Sequence, residues 1–115
     1  MEAWIIIIAG ILLFAWRMKP AKGTKTITTN TLRGMLNDKD KVFIDVRTPA
    51  EYKGRNIQQF KNIPLGSDLS TLPKDKEIVV ICQSGMRSAQ ACNQLKKMGY
   101  EKVTNVRGGM SAWRG

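Results

Sequence analysis

The chain has no histidine and only two cysteines among its 115 residues. The absence of histidine rules out Ser-His and Cys-His catalytic pairs. With only Cys82 and Cys92 available, there is neither a zinc-ligand cluster nor a disulfide framework. Acidic residues are also scarce, 9 against 19 basic, which leaves a formal net charge of +10. Such a surplus suits an anionic small molecule, an anionic membrane surface or nucleic acid. We set nucleic acid aside, because the basic residues are scattered and no aromatic-rich basic stripe accompanies them. Internal repeats and low-complexity segments are missing too. The length fits a single domain, and 43% hydrophobic content is enough for one core.

One long uncharged run is present, Trp4 to Trp16, with a tryptophan at each end. From Met1 to Met18 a helix at about 1.5 Å per residue covers roughly 27 Å, close to the ~30 Å hydrocarbon core of a bilayer. Tryptophans at both ends match interfacial belts. A cleaved signal peptide is disfavoured, since only Glu2 stands where a basic n-region is needed and no A-x-A site follows. Residues 1–19 are therefore expected to form a transmembrane anchor, 20–25 a linker and 26–115 the folded domain.

Within that domain the chemistry centres on Glu77 to Ser88. Ile78-Val79-Val80-Ile81 is an uninterrupted apolar run suited to a strand covered on both faces. It ends in Cys82 and the small polar loop Gln83-Ser84-Gly85-Met86-Arg87-Ser88. Ala89 to Met98 has helical composition and Gly99 is a terminator. Cys82 is thus expected at the carboxyl end of a central strand, facing the N-terminus of the following helix, where α/β sheets place their ligands. A helix N-terminus and the Arg87 guanidinium both favour thiolate over thiol, and the same loop attracts anions. The competing reading is an inert buried thiol.

Other segments complete an α/β pattern. Strands are expected at Thr26–Thr28, Val42–Val46, Ile63–Leu65 (an edge, given Pro64) and Lys102–Val106. A helix capped by Thr29 or Asn30 buries Leu32, Met35 and Leu36, and another starts at Thr48-Pro49-Ala50-Glu51. Ser67 to Lys76 reads as loop with one helical turn, and Met110 to Trp113 as a closing short helix. Asp45 stands out, because a carboxylate in an apolar strand needs partners. Arg47 and Glu51 are close enough to pair as a structural brace.

Taken together, Asp45-Val46-Arg47 with Glu51-Tyr52, the Cys82–Ser88 loop and the ending Val106-Arg107-Gly108-Gly109-Met110-x-Ala112-Trp113 resemble a single-domain rhodanese, a sulfurtransferase, over about residues 25 to 114. One departure is visible. Gly54-Arg55-Asn56-Ile57-Gln58-Gln59-Phe60 stands where such proteins usually carry Gly-His-Ile-Pro-Gly-Ala, with Asn56 in place of the histidine. The resemblance implies a rhodanese-like fold, a mostly parallel central sheet of about five strands flanked by helices. It also implies a persulfide on Cys82, loaded from a small anionic donor such as thiosulfate and passed to a thiol or cyanide-like acceptor without a cofactor. Backbone N–H groups of Gln83 through Ser88 would hold the sulfur and the donor's oxyanion, with Asp45 and Arg47 supporting the site and Cys92 in the core. The alternatives are a non-enzymatic, membrane-tethered binding module and a phosphatase or arsenate-reductase-like enzyme. The last is disfavoured, because Cys82 and Arg87 are separated by four residues where such phosphatases have five, and the narrower bowl fits one sulfur better than a phosphoryl group.

Arg17, Lys19, Lys22 and Lys25 all follow the apolar run, so the positive-inside rule places the domain in the cytoplasm. Protease applied to sealed, right-side-out cells should spare a C-terminal epitope; its loss would reverse the orientation.

Overall fold

A computed structural model of the chain describes residues 24–115. The expected anchor of residues 1–19 lies outside them, and among the described residues no helix is long and apolar enough to cross a membrane. The elements run β1 (Thr24–Ile27), α1 (Thr29–Met35), β2 (Lys41–Asp45), α2 (Pro49–Gly54), β3 (Lys61–Asn62), β4 (Glu77–Ile81), α3 (Met86–Lys97), β5 (Val103–Val106) and α4 (Gly109–Ala112). The five strands form one sheet in the order β1-β5-β4-β2-β3. Every pairing is parallel.

The apolar run places β4 in the middle. Ile78, Val79, Val80 and Ile81 are all fully buried, because both faces of the strand carry side-chain layers. Ile78, Val80 and Cys82 pack with Ala91, Cys92 and Leu95 of α3 and with Ile44, Tyr100 and Val103. Val79 and Ile81 pack on the opposite face with Leu32, Phe43, Phe60, Met110 and Trp113. Cys82 therefore continues the α3 face of the strand, which aims its sulfur at that helix.

Several boundaries move for local reasons. The first strand starts at Thr24, so Thr24 and Lys25 belong to it and not to a linker, and its register is Thr24 opposite Val103 through Ile27 opposite Val106. Thr28, expected at the end of that strand, is instead the N-cap of α1, its hydroxyl accepting from the Thr31 N–H. Leu32 of that helix is buried, whereas Met35 and Leu36 are half-buried. The edge strand is Lys61–Asn62, displaced from Ile63–Leu65. Ile63 and Leu65 still donate to the Asp45 and Val46 carbonyls, but Pro64 between them has no N–H with which to continue the ladder. Ser67 to Lys76 is loop without a helix; its one tight turn has the Leu72 N–H donating to the Leu69 carbonyl at 3.2 Å. It is held by the Tyr100 hydroxyl, which bonds the carbonyls of Leu69 and Leu72. Gly99 (φ 98°) terminates α3 as expected.

Asp45 finds its partner in Arg47. The guanidinium grips both carboxylate oxygens at 2.8 to 3.0 Å, and the Arg47 main-chain N–H donates to Oδ1 at 2.9 Å. Both side chains are buried. The expected Arg47–Glu51 side-chain brace does not form. Arg47 donates instead to the main-chain carbonyls of Glu51 and Arg55, at 3.3 and 2.7 Å, closing the C-terminal end of α2. A buried ion pair adds little over an apolar substitute, but losing one partner strands a charge. Asp45→Ala should lower the unfolding free energy in urea by about 3–5 kcal/mol, and Asp45→Leu combined with Arg47→Met by clearly less. Equal losses would show that the two residues act independently.

Candidate active site

The site begins where β4 stops. Cys82 follows Ile81 directly, and Gly85 (φ 102°) turns the chain through a conformation that side chains disfavour. Helix α3 starts at Met86, three residues before the sequence signal at Ala89, so Met86, Arg87 and Ser88 form its first turn instead of a loop. Its N-cap is Gly85, which has no side chain to cap the free N–H groups.

The sulfur of Cys82 fills that role. It accepts from the Gly85 N–H at 3.0 Å and lies 3.3 Å from the Ser88 hydroxyl. Burial pushes the thiol pKa up. The hydrogen bonds that the Ser88 hydroxyl and main chain and the Gly85 and Ser84 main chain offer to the thiolate outweigh it and leave the pKa below its ordinary value. The residue is 0% exposed, wrapped by its own loop. Cys92, one helical turn beyond Ser88 and buried, has its pKa pushed up to about 12 by desolvation, with a smaller contribution from Cys82. It is a core residue, as the sequence suggested. Among the described residues no cluster of His, Cys, Asp and Glu could hold a metal ion.

Arg87 does not hang free over the sulfur. It forms a bidentate pair with Glu51 of α2, Nη1 to Oε1 at 2.7 Å and Nη2 to Oε2 at 2.9 Å. Glu51 is also the third residue of the α2 capping box, accepting from the Thr48 N–H while the Thr48 hydroxyl accepts from its own N–H. Gln83 links two supports: its amide oxygen accepts from Arg47 at 3.4 Å and its amide nitrogen donates to the Ser111 hydroxyl at 3.1 Å. Met86 is 74% exposed and Ser84 is exposed, so both stand at the rim.

The C-terminal helix presses on the loop from beneath. Met110 and Ser111 donate their N–H groups to the Cys82 and Gln83 carbonyls at 2.8 and 2.9 Å. Gly109 makes this approach possible, since a Cβ there would lie 2.2 Å from the Cys82 carbonyl oxygen and its φ is 55°.

A sequence model of the rhodanese-like domain matches residues 28–115. The chain belongs to the rhodanese-like domain family. Among curated relatives, a sulfurtransferase of Allochromatium vinosum is 40% identical over 91 residues, 76% of this chain and 85% of that protein. The putative sulfurtransferase YtwF of Bacillus subtilis is 42% identical over 95 residues, 79% of this chain and 91% of that protein. Among solved structures, a rhodanese-like domain protein from Staphylococcus aureus superposes with a TM-score of 0.70 at 35% identity, covering 77% of this chain and 90% of that one.

In this rhodanese-like domain the Gly54–Phe60 departure is absorbed by the backbone. Asn56 is exposed and donates to the Tyr52 carbonyl at 2.8 Å, closing α2. Arg55 reaches across to the Met110 and Trp113 carbonyls at 3.1 and 2.6 Å, tying α2 to α4. Three contacts at the site are not legible in the sequence. Glu51 reads as a helix-start residue and a partner for Arg47, not for Arg87. Gly109 reads as part of a turn and of the closing motif, not as a contact with Cys82. Asn105, the amide of β5, donates to the Gly85 carbonyl at 3.3 Å and accepts from Ser88.

The Arg87 hydrogen bonds, then those from Thr48, hold the Glu51 carboxyl at about 2, against an ordinary 4.5. A carboxyl with its pKa lowered by folding stabilises the fold when ionised. That contribution is complete above 4.5 and is lost as pH falls through about 2. Because both partners are about one-third exposed, 35% and 33%, it is modest and screened by salt. The difference in thermal midpoint between the native chain and Glu51→Gln should close over that acid range and shrink in molar salt. A gap that persists unchanged at the acid end would show that the ionised carboxylate is not its cause.

Proposed function

We propose that the domain transfers sulfane sulfur through a persulfide on Cys82, and that the observation carrying this is the sulfur seated at the uncapped N-terminus of α3. The thiolate attacks the outer sulfur of an anionic donor such as thiosulfate. An S–S bond forms to Cys82, the donor's S–S bond breaks, and sulfite leaves with the electron pair. A thiol or cyanide-like acceptor then attacks the outer sulfur and returns Cys82 as thiolate, so the cycle closes without a cofactor. N–H groups of the loop and of the first turn of α3 stabilise the charge at each stage, as main-chain donors do for other anions. Arg87 draws the anionic donor in, its charge partly offset by Glu51. We further propose that the apolar N-terminal run tethers the domain to the cytoplasmic side of a membrane.

Four residues between Cys82 and Arg87 support sulfur transfer over phosphate hydrolysis. The Gly85 N–H at 3.0 Å already points at the sulfur itself and leaves a tight bowl. A phosphoryl group misplaced by about 1 Å reacts roughly 100-fold more slowly.

Incubation with thiosulfate should add one sulfur atom to Cys82, seen by mass spectrometry of the intact and digested protein. Arg87→Ala should weaken anionic donors far more than neutral ones, since it also leaves the Glu51 carboxylate uncompensated beside the site. An adduct confined to Cys92, or none at all, favours the binding-module reading. Cys82-dependent aryl-phosphate hydrolysis at a comparable rate would favour the phosphatase one.

A further inference from the structure

The Ser88 hydroxyl has one proton and two claimants. In the structure it donates to Asn105 Oδ1, while its oxygen lies 3.3 Å from the Cys82 sulfur. A hydroxyl oxygen whose hydrogen is committed elsewhere can only accept from the sulfur, an arrangement that suits the thiol, S–H to Oγ. The thiolate needs the reverse, O–H to S⁻. Asn105 cannot turn to relieve the conflict by offering its nitrogen, because that nitrogen donates to the Gly85 carbonyl at 3.3 Å, which fixes the oxygen toward Ser88. Ser88 itself is fully buried, so water does not supply a substitute partner for either atom.

We infer that Asn105 is a positioning residue that acts through Ser88: it competes with the Cys82 sulfur for the Ser88 hydroxyl proton, and so sets how readily the thiol ionises. As thiol, Cys82 donates to Ser88, which donates to Asn105. As thiolate, Cys82 has released its proton to solvent, and the Ser88 O–H bond rotates from Asn105 Oδ1 to the sulfur. No proton is gained or lost by Ser88 or Asn105. The amide nitrogen meanwhile keeps Gly85 in place, so the Gly85 N–H stays on the sulfur at 3.0 Å in both states. The inference rests on the sulfur-transfer reading only for the use made of the thiolate. Its geometry stands without it.

Among charged groups, Arg87 on α3 feels the Cys82 charge directly; Glu51 on α2 and Asp45 at the end of β2 act on Arg87 in turn, and Arg47 reaches the loop at Gln83. The buried Cys92 thiol on α3 also feels the Cys82 charge. Comparisons that leave all of these in place isolate the Ser88–Asn105 contribution. The experiment is the pH dependence of Cys82 alkylation by iodoacetamide, followed at that residue by peptide mass spectrometry, in a double-mutant cycle. It needs no sulfur donor, so failure of the transfer chemistry cannot be mistaken for failure here. Ser88→Ala removes the donor and should slow alkylation near pH 6 by roughly tenfold, the change that one unit of thiol pKa gives. Asn105→Ala frees the hydroxyl for the sulfur and should speed it by roughly three- to tenfold. In the Ser88→Ala background the Asn105→Ala effect should fall below about twofold.

Asn105→Asp separates positioning from simple loop support. It loses the donor to Gly85 just as alanine does, yet keeps an oxygen facing Ser88. It should slow alkylation where alanine speeds it, with part of that slowing lost when Ser88 is absent. Asn105→Ala and Asn105→Asp shifting the rate in the same direction, or an Asn105→Ala effect that is undiminished without Ser88, would overturn the inference and leave Asn105 as a prop for Gly85. The circular dichroism of each variant identifies any that fail to fold, and either Asn105 variant alone gives a signed answer.

Discussion

The first turn of α3 has N–H groups that no side chain caps, and the rest of the site follows from how they are satisfied. Serine or aspartate at that position would close the helix and leave nothing reactive. Gly85 offers only a left-handed turn, so the chain doubles back and the sulfur of Cys82 takes the place of a capping oxygen. Sulfur is a poor acceptor as thiol and a good one as thiolate, so the helix end is better satisfied when Cys82 is ionised. The helix thus favours the charge on which the proposed sulfur transfer depends.

Such a loop keeps its shape only if its main chain is held from outside, and three elements do this. From β2, Arg47 spans the Asp45 carboxylate, two carbonyls at the end of α2 and the Gln83 amide. From below, α4 donates to the Cys82 and Gln83 carbonyls, an approach that requires glycine at 109. From β5, Asn105 takes the Gly85 carbonyl. The polar groups at the loop are thereby paired within a largely apolar surround, which favours a single loop conformation.

The sheet was readable because its signals are local. Ile78–Ile81 announces a doubly covered strand whatever surrounds it, and the Cys82–Ser88 composition announces a strand-to-helix turn. Thr48-Pro49-Ala50-Glu51 likewise predicts α2, and the full capping box forms. Contacts decided by the tertiary fold were not readable. Arg47 and Glu51 are near neighbours in sequence, yet the carboxylate meets Arg87, because the box holds it at the N-terminus of α2 against the Thr48 N–H, where Arg87 reaches it. Asn105 looked like an ordinary strand residue, and only the pairing of β5 with β4 brings it beside Gly85. One signal was available, a lone amide between Thr104 and Val106 in a strand otherwise suited to burial. Gly108-Gly109 announced a turn, but only the packing of α4 shows that the second glycine is needed for contact with Cys82.

Glu51 exposes a conflict within the site. Its bidentate hold on Arg87 orders the first turn of α3 against α2 and keeps the guanidinium extended at the rim. The same carboxylate cancels part of the positive charge that would attract an anionic donor. The two effects differ in range: the hydrogen bonds act at contact, while the remaining attraction comes from the whole basic chain, +10 in formal charge. A domain with a strong surplus of basic residues can give up one local charge to loop order and still draw anions by its overall field. Salt weakens the long-range field most, whereas N–H groups in contact with the buried sulfur are screened much less. For the sulfur transfer proposed above, the main chain of the loop would supply specificity for the sulfur, and the side-chain charge around it would govern how often a donor arrives.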